Sequence, residues 1–291
     1  MCTENNTFSR PLNLWLTLGV PLFLMLLLLA FDPTGIDFAV TRLFYSPETG
    51  FVDRESYLLE NILHDRVKQL VIMLAVLVLV GFILSLFMKR LRVWRRPLGY
   101  LVLALALSTS IVSPLKTMTQ VHCPWSLTEF GGTEIYTPLL AQRAPTLKPG
   151  RCWPGGHATA GFSLFALFFF LRDRFPRTAK AALMVALLLG TVLSVGRVMQ
   201  GAHFLSHNIW TMLLDWLICA VCYRMVLYRP EKKRGGGAIR RNAAENGGVL
   251  SQAVVAVGSG MQWRKWKNGK ASGDPDSDFS AAPQYCSSYG T

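Results

Sequence analysis

Five histidines, His64, His122, His157, His203 and His207, are the residues most suited to chemistry in this sequence. Imidazole is the side chain that transfers protons near neutral pH. Four of the five fall in segments that also carry fixed positive charge or backbone-exposing glycines. Residues 116–124 read K-T-M-T-Q-V-H-C-P, residues 151–157 read R-C-W-P-G-G-H, and residues 196–207 read G-R-V-M-Q-G-A-H-F-L-S-H. Lys116 and Arg197 supply cations, and a guanidinium can hold two oxygens of a phosphate at once. Pro154-Gly155-Gly156 reads as a helix opening, whose free N–H groups and positive dipole end can face an anion. His203 and His157 then offer a nucleophile and an acid. No carboxylate cluster suits a metal, so charge neutralisation falls to the cations, and neither a metal nor a cofactor is expected.

These segments must be held by membrane-crossing elements. The chain has 291 residues, of which 51% are hydrophobic and 16% charged. Its apolar runs approach the roughly 20 residues that span a bilayer core. Six are predicted, at 12–31, 70–88, 98–115, 156–171, 181–195 and 209–227, giving an all-α polytopic transmembrane helical bundle of about six spans. The first run is long for a signal peptide and lacks a small-residue cleavage site before Asp32, so it reads as an anchor. The net charge of +13 does not point to nucleic acid. The cations cluster at 89–96, 172–180 and 224–234, between apolar runs and after the last one, as topology-setting residues do. All three clusters can be cytoplasmic together, with both termini inside.

Three organisational units follow: an N-terminal anchor with an outward amphipathic segment (1–69), a membrane domain (70–234) and a disordered cytoplasmic tail (235–291). An interfacial helix is expected around residues 57–67. The basic-aromatic run at 263–267, Trp263 to Lys267, reads as either a lipid-surface contact or a solvated tail segment. Every histidine lies on the outward side in this topology. His64 and His122 read as loop or interfacial residues. Cys219 and Cys222 lie inside an apolar helix and read as packing residues. Cys123 and Cys152 flank one outward loop, where an oxidising compartment permits a disulfide; two free thiols are the alternative.

The three segments resemble the signature motifs of the type 2 phosphatidic acid phosphatase family, which shares its site with vanadium haloperoxidases. The family pattern is K-x6-R-P, P-S-G-H and S-R-x5-H-x3-D, and the resemblance covers roughly residues 70–225. It implies that Lys116, Arg197 and the Gly156 N–H bind phosphate, that His157 protonates the leaving oxygen, and that His203 attacks phosphorus to give a phosphohistidine. Three positions depart from the pattern. Cys123 stands where the family has arginine, for which Arg151 is the candidate replacement, with Arg143 behind it. Gly155 replaces the motif serine, and His207 stands in place of the aspartate that orients the nucleophile. Asp37 and Asp65 are outward-facing acids that could help orient the nucleophile instead, though the sequence does not place them. The implied partner is a phosphorylated lipid, such as lipid A, undecaprenyl pyrophosphate or a phosphatidyl head group, met at the periplasmic side of an inner membrane. The alternatives are a lipid phosphotransferase using the same intermediate and a non-catalytic lipid-phosphate-binding protein. Oligomeric state is not readable.

Overall fold

The computed structural model describes residues 9–52, 65–143 and 148–229. Helix α1 (Trp15–Ala30) opens with a π-helical stretch and turns by 85° into α2 (Thr34–Arg42). The turn is made by Pro33, which lacks an N–H, and by Asp32, whose Oδ1 accepts the Thr34 N–H at 3.1 Å. A two-residue hairpin, β1 (Tyr45–Ser46) with β2 (Gly50–Phe51), follows in antiparallel register. Helices α3 (Val67–Phe87) and α4 (Arg95–Thr119) are joined by the tight segment Lys89–Trp94. A long loop then leads to the short helices α5 (Thr159–Phe162) and α6 (Phe165–Leu171), followed by α7 (Pro176–Met199) and α8 (Leu205–Val226).

The chain is therefore an all-α multi-pass membrane protein, because helices satisfy their own backbone polar groups in hydrocarbon. Helix α3 buries only Val78 and Ser85 and exposes its leucines and valines, the pattern of a lipid-facing span. The span count differs from six. Among the described residues, four helices are long and apolar enough to cross, and a fifth crossing arises if the bent α1–α2 pair is one span. The run at 156–171 is the exception: Gly156, His157 and Ala158 form a turn, and the helix breaks at Ser163–Leu164 into pieces of four and seven residues. At 1.5 Å per residue these rise about 20 Å at most, against a core of about 30 Å. The pieces stay inside the bundle, with Phe162, Phe165, Ala166 and Phe169 buried against Tyr100, Ala104, Cys219 and Tyr223.

Small residues set the spacing that the site needs. A methyl at Gly161 would lie 2.3 Å from the Gly190 backbone nitrogen, so α5 and α7 meet nearly backbone to backbone. That contact fixes the distance between the segment carrying His157 and the helix carrying Arg197. Tyr100 donates to the Ala166 carbonyl at 3.2 Å and ties α4 to α6.

Among the described residues, Lys89, Arg92, Arg95 and Arg96 of the first basic cluster, Arg174 of the second and Arg229 of the third gather at the end of the bundle remote from the histidines. Arg95 donates to the Ser85 and Leu86 carbonyls, at 3.1 and 3.0 Å, and closes the α3 C-terminus. Ser9 and Arg229 exchange hydrogen bonds at 3.0 Å, so the two ends of the described chain meet there. Cys219 and Cys222 are buried thiols. The interfacial helix expected around 57–67 falls mostly outside the described residues. His64, the tail 235–291 and the run Trp263 to Lys267 lie outside them altogether.

Candidate active site

Lys116 stands on the last turn of α4, His157 just before α5, Arg197 on the last turn of α7, and His203 just before α8. The chain reverses between Arg197 and His203 through Gly201, whose φ of +67° belongs to the left-handed region that glycine adopts without strain. A side chain there would also strike the Phe51 ring. The Ala202 and His203 N–H groups return to the Arg197 carbonyl, at 2.9 and 3.3 Å, and lock this turn.

The polar atoms form a chain whose direction can be worked out from chemistry alone. Arg197 Nη2 lies 3.4 Å from His157 Nε2, and His157 Nδ1 lies 3.3 Å from His203 Nε2. Guanidinium only donates, so His157 Nε2 accepts and its Nδ1 carries the proton. That proton points at His203 Nε2, which is then the unprotonated nitrogen. His203 Nδ1 accordingly bears hydrogen and faces the Cys152 sulfur at 3.3 Å. The result is the tautomer a nucleophilic imidazole needs, with the Nε2 lone pair facing His157.

The surroundings are cationic. Lys116, His157, His207 and Arg197 all act on the His203 ring, but burial is the largest influence; together they hold His203 well below the usual histidine pKa. The ring is only 3% exposed, so an anion must approach from the side where Lys116, His157 and Arg197 are half-buried. A methyl at Gly156 would come within 2.9 Å of Lys116 Nζ, which places the ammonium directly over that glycine. Gly156 makes no backbone hydrogen bond through its N–H among the described residues. Gly155, by contrast, donates its N–H to the His207 carbonyl at 3.1 Å. Regular helix begins only at Thr159, so the N–H groups near His157 belong to a tight turn of the Ala158-to-Gly155 and Ala160-to-His157 type.

Cys123 and Cys152 form a disulfide that closes the loop across a separation of 29 residues. It joins the segment after Lys116 to the segment before His157. Arg151 is exposed on the loop rim, with no hydrogen bond to the histidines among the described residues. Arg143 donates to the carbonyls of Thr137, Pro138, Leu139 and Ala141 and organises its own loop. His207 packs edge-on to His203, with ring centroids 6.2 Å apart. It borders a cavity of about 90 Å³ that also touches Asp37, Trp153 and Trp210. Asp37 accepts from the Ser206 N–H at 2.8 Å and the Ser206 hydroxyl at 2.5 Å, so it caps α8 instead of reaching a histidine. His122 lies 3.6 Å from Glu134, away from the cluster. Cys152 Sγ, His203 and His207 lie within 4.8 Å of one another, but the sulfur is committed to the disulfide and is not the thiolate a zinc site would use.

Two supporting residues escape a reading of spacing alone. Gln200 is buried and accepts from Arg197 Nη1 at 2.8 Å, one helical turn on, which aims the guanidinium. Asn208 occupies the space beside Gly155: a Cβ there would stand 2.4 Å from Asn208 Oδ1. The i,i+3 spacing of Arg197 and Gln200 was a usable signal; nothing local marks Asn208.

Helical membrane architecture joins here with a buried histidine, a lysine, an arginine and the Gly156 N–H, an arrangement that can receive a phosphate-like oxyanion. Residues 97–231, the segment that carries all four of these groups, match the family model of the PAP2 superfamily, and this segment belongs to that superfamily. Comparison with curated proteins gives no match, and comparison with solved structures gives none either. Membership and fold together make this a phosphatase-type hydrolase of phosphoric esters, embedded in a membrane and directed at lipid phosphate.

Proposed function

We propose that this protein hydrolyses a phosphate monoester or pyrophosphate of a lipid at the periplasmic face of the inner membrane, through a phosphohistidine on His203. The observation that carries the reading is the directed chain Arg197–His157–His203 beneath Lys116. In this scheme the phosphoryl group settles between Lys116, Arg197 and the Gly156 N–H. His203 Nε2 attacks phosphorus, the bond from phosphorus to the lipid oxygen breaks, and His157 gives that oxygen a proton. Water then attacks the phosphohistidine, His157 takes the water proton, and the P–N bond breaks to release inorganic phosphate. Most of the acceleration comes from positioning and from cations facing the charge that develops on the phosphoryl oxygens. His157 Nδ1 lies within hydrogen-bond reach of the nucleophilic nitrogen, at 3.3 Å, so substrate must part the two rings for phosphorus to reach His203 Nε2.

The outward placement rests on the alternation of the basic clusters, which puts the histidine end opposite the cytoplasm. The test uses purified protein in nanodiscs with lipid A, undecaprenyl pyrophosphate and phosphatidylglycerol phosphate, each labelled in the phosphate, alongside His203→Ala. Release of inorganic phosphate that vanishes in the variant supports the proposal. Label moving to a second lipid makes the protein a transferase, and retained binding with no transfer makes it a receptor.

A further inference from the structure

At the end of the bundle remote from the histidines lies a cleft of about 1200 Å³. Lys89, Arg92, Arg95, Arg96, Arg174 and Arg229 line it, and Asp173 is the one acid among its lining residues that are described. Asp173 is already occupied: it accepts from the Arg10 N–H at 3.0 Å and the Tyr223 hydroxyl at 2.7 Å, and lies 3.8 Å from Arg172 Nε. Arg95 is engaged with the α3 carbonyls. The remaining five cations have no carboxylate partner among the described residues.

Two helix N-termini open on the same cleft. Helix α4, of 25 residues, begins with Arg95 and Arg96 and has no acid in its first turn. Helix α7, of 24 residues, begins at Pro176 just after Arg174 and has none either. Cations at the positive end of a helix dipole are unfavourable by themselves. An anion seated among them would reverse the sign of that interaction. The cleft is also larger than the roughly 300–1,000 Å³ usual for small-ligand sites. Its wall includes exposed apolar groups, Val93, Trp94 and Phe175. Trp94 stacks under the Arg174 guanidinium at 5.6 Å, so charge and apolar surface are continuous.

We infer that this cleft binds the phosphate head group of an acidic phospholipid of the surrounding leaflet, with its glycerol and upper acyl chain along the apolar wall. The site is separate from the histidine cluster and does not depend on its chemistry.

Native mass spectrometry of the full chain provides the test, with the protein released from detergent after titration with phosphatidylglycerol, phosphatidylcholine or inorganic phosphate. Phosphatidylglycerol should be retained at least tenfold more tightly than phosphatidylcholine, and millimolar inorganic phosphate should not displace it. Arg92→Gln with Arg96→Gln should weaken retention about 25-fold, taking about fivefold for each cation facing an anionic lipid. Lys116→Gln, at the other end, should leave it unchanged. Equal retention of both lipids, displacement by inorganic phosphate, or a loss produced only by Lys116→Gln would overturn the inference. The lipid comparison on the unaltered chain decides the matter even if the double variant fails to fold.

Discussion

Gly155→Ser restores the residue that the superfamily motif carries at this position, yet here it should damage the protein. The Cβ it introduces would stand 2.4 Å from Asn208 Oδ1 and 3.4 Å from the His207 carbonyl oxygen. Asn208 is buried, and its amide donates to the Phe204 carbonyl at 3.2 Å. Turning it aside gives up that hydrogen bond, worth about 1 kcal/mol, and forces an off-rotamer side chain at about 1 kcal/mol. A total near 2 kcal/mol agrees with the usual cost of overpacking. The Gly155 peptide also holds the His207 carbonyl at 3.1 Å, so any shift of position 155 is passed to Gly156 and His157. If the whole cost falls on positioning the phosphoryl group, turnover drops about 30-fold. Asn208→Ala alone should cost about 1 kcal/mol, and the double variant should recover most of the loss, a coupling of about 1–2 kcal/mol. Phosphate release and thermal unfolding, measured on all four proteins in one detergent, give the cycle. Full activity and stability in Gly155→Ser, or no recovery on adding Asn208→Ala, would refute the reasoning.

Replacing Cys123 and Cys152 by serine should lower stability by about 3.6 kcal/mol, the loop-closure value for the 29-residue separation, read as a fall in Tm that reducing agent reproduces in the parent protein. Gly161→Val puts a side chain against the Gly190 backbone and should cost about 3 kcal/mol or more; thermal unfolding and turnover should fall together, because His157 and Arg197 are carried apart. Burial and neighbouring cations hold His203 below its ordinary pKa, so the unfolded chain binds the extra proton first. The His203 contribution is therefore fully present above about pH 6.5 and is lost as pH falls from there toward the folded value. The Tm of the parent protein should drop more steeply between pH 7 and pH 5 than that of His203→Gln; identical slopes would contradict the assignment.

Chemistry was more legible in the sequence than packing. The spacing of Arg197 and His203 and the position of Lys116 at the end of an apolar run could be read directly, and the structure brings these groups to one place. Apolar runs gave the helices, but run length misjudged residues 156–171, where the glycines that favour close approach to an anion also delay the helix until Thr159. The fate of individual donors was hidden. Gly155 and Gly156 look equivalent in sequence, yet one N–H is taken by the His207 carbonyl, a partner brought by α8. Asp37 reaches Ser206 across a separation of 169 residues, so only the fold could show that it caps a helix. The same holds for Arg143, whose guanidinium is consumed by four nearby carbonyls.

The proposal that His203 is the nucleophile meets its most direct test in a rapid-quench experiment with a ³²P-labelled lipid phosphate, followed by peptide mapping under alkaline conditions that preserve phosphohistidine. Label should appear within the first turnover on the peptide containing His203 and be absent in His203→Ala. Turnover with the label on another residue, or with no labelled protein at any time, would contradict it.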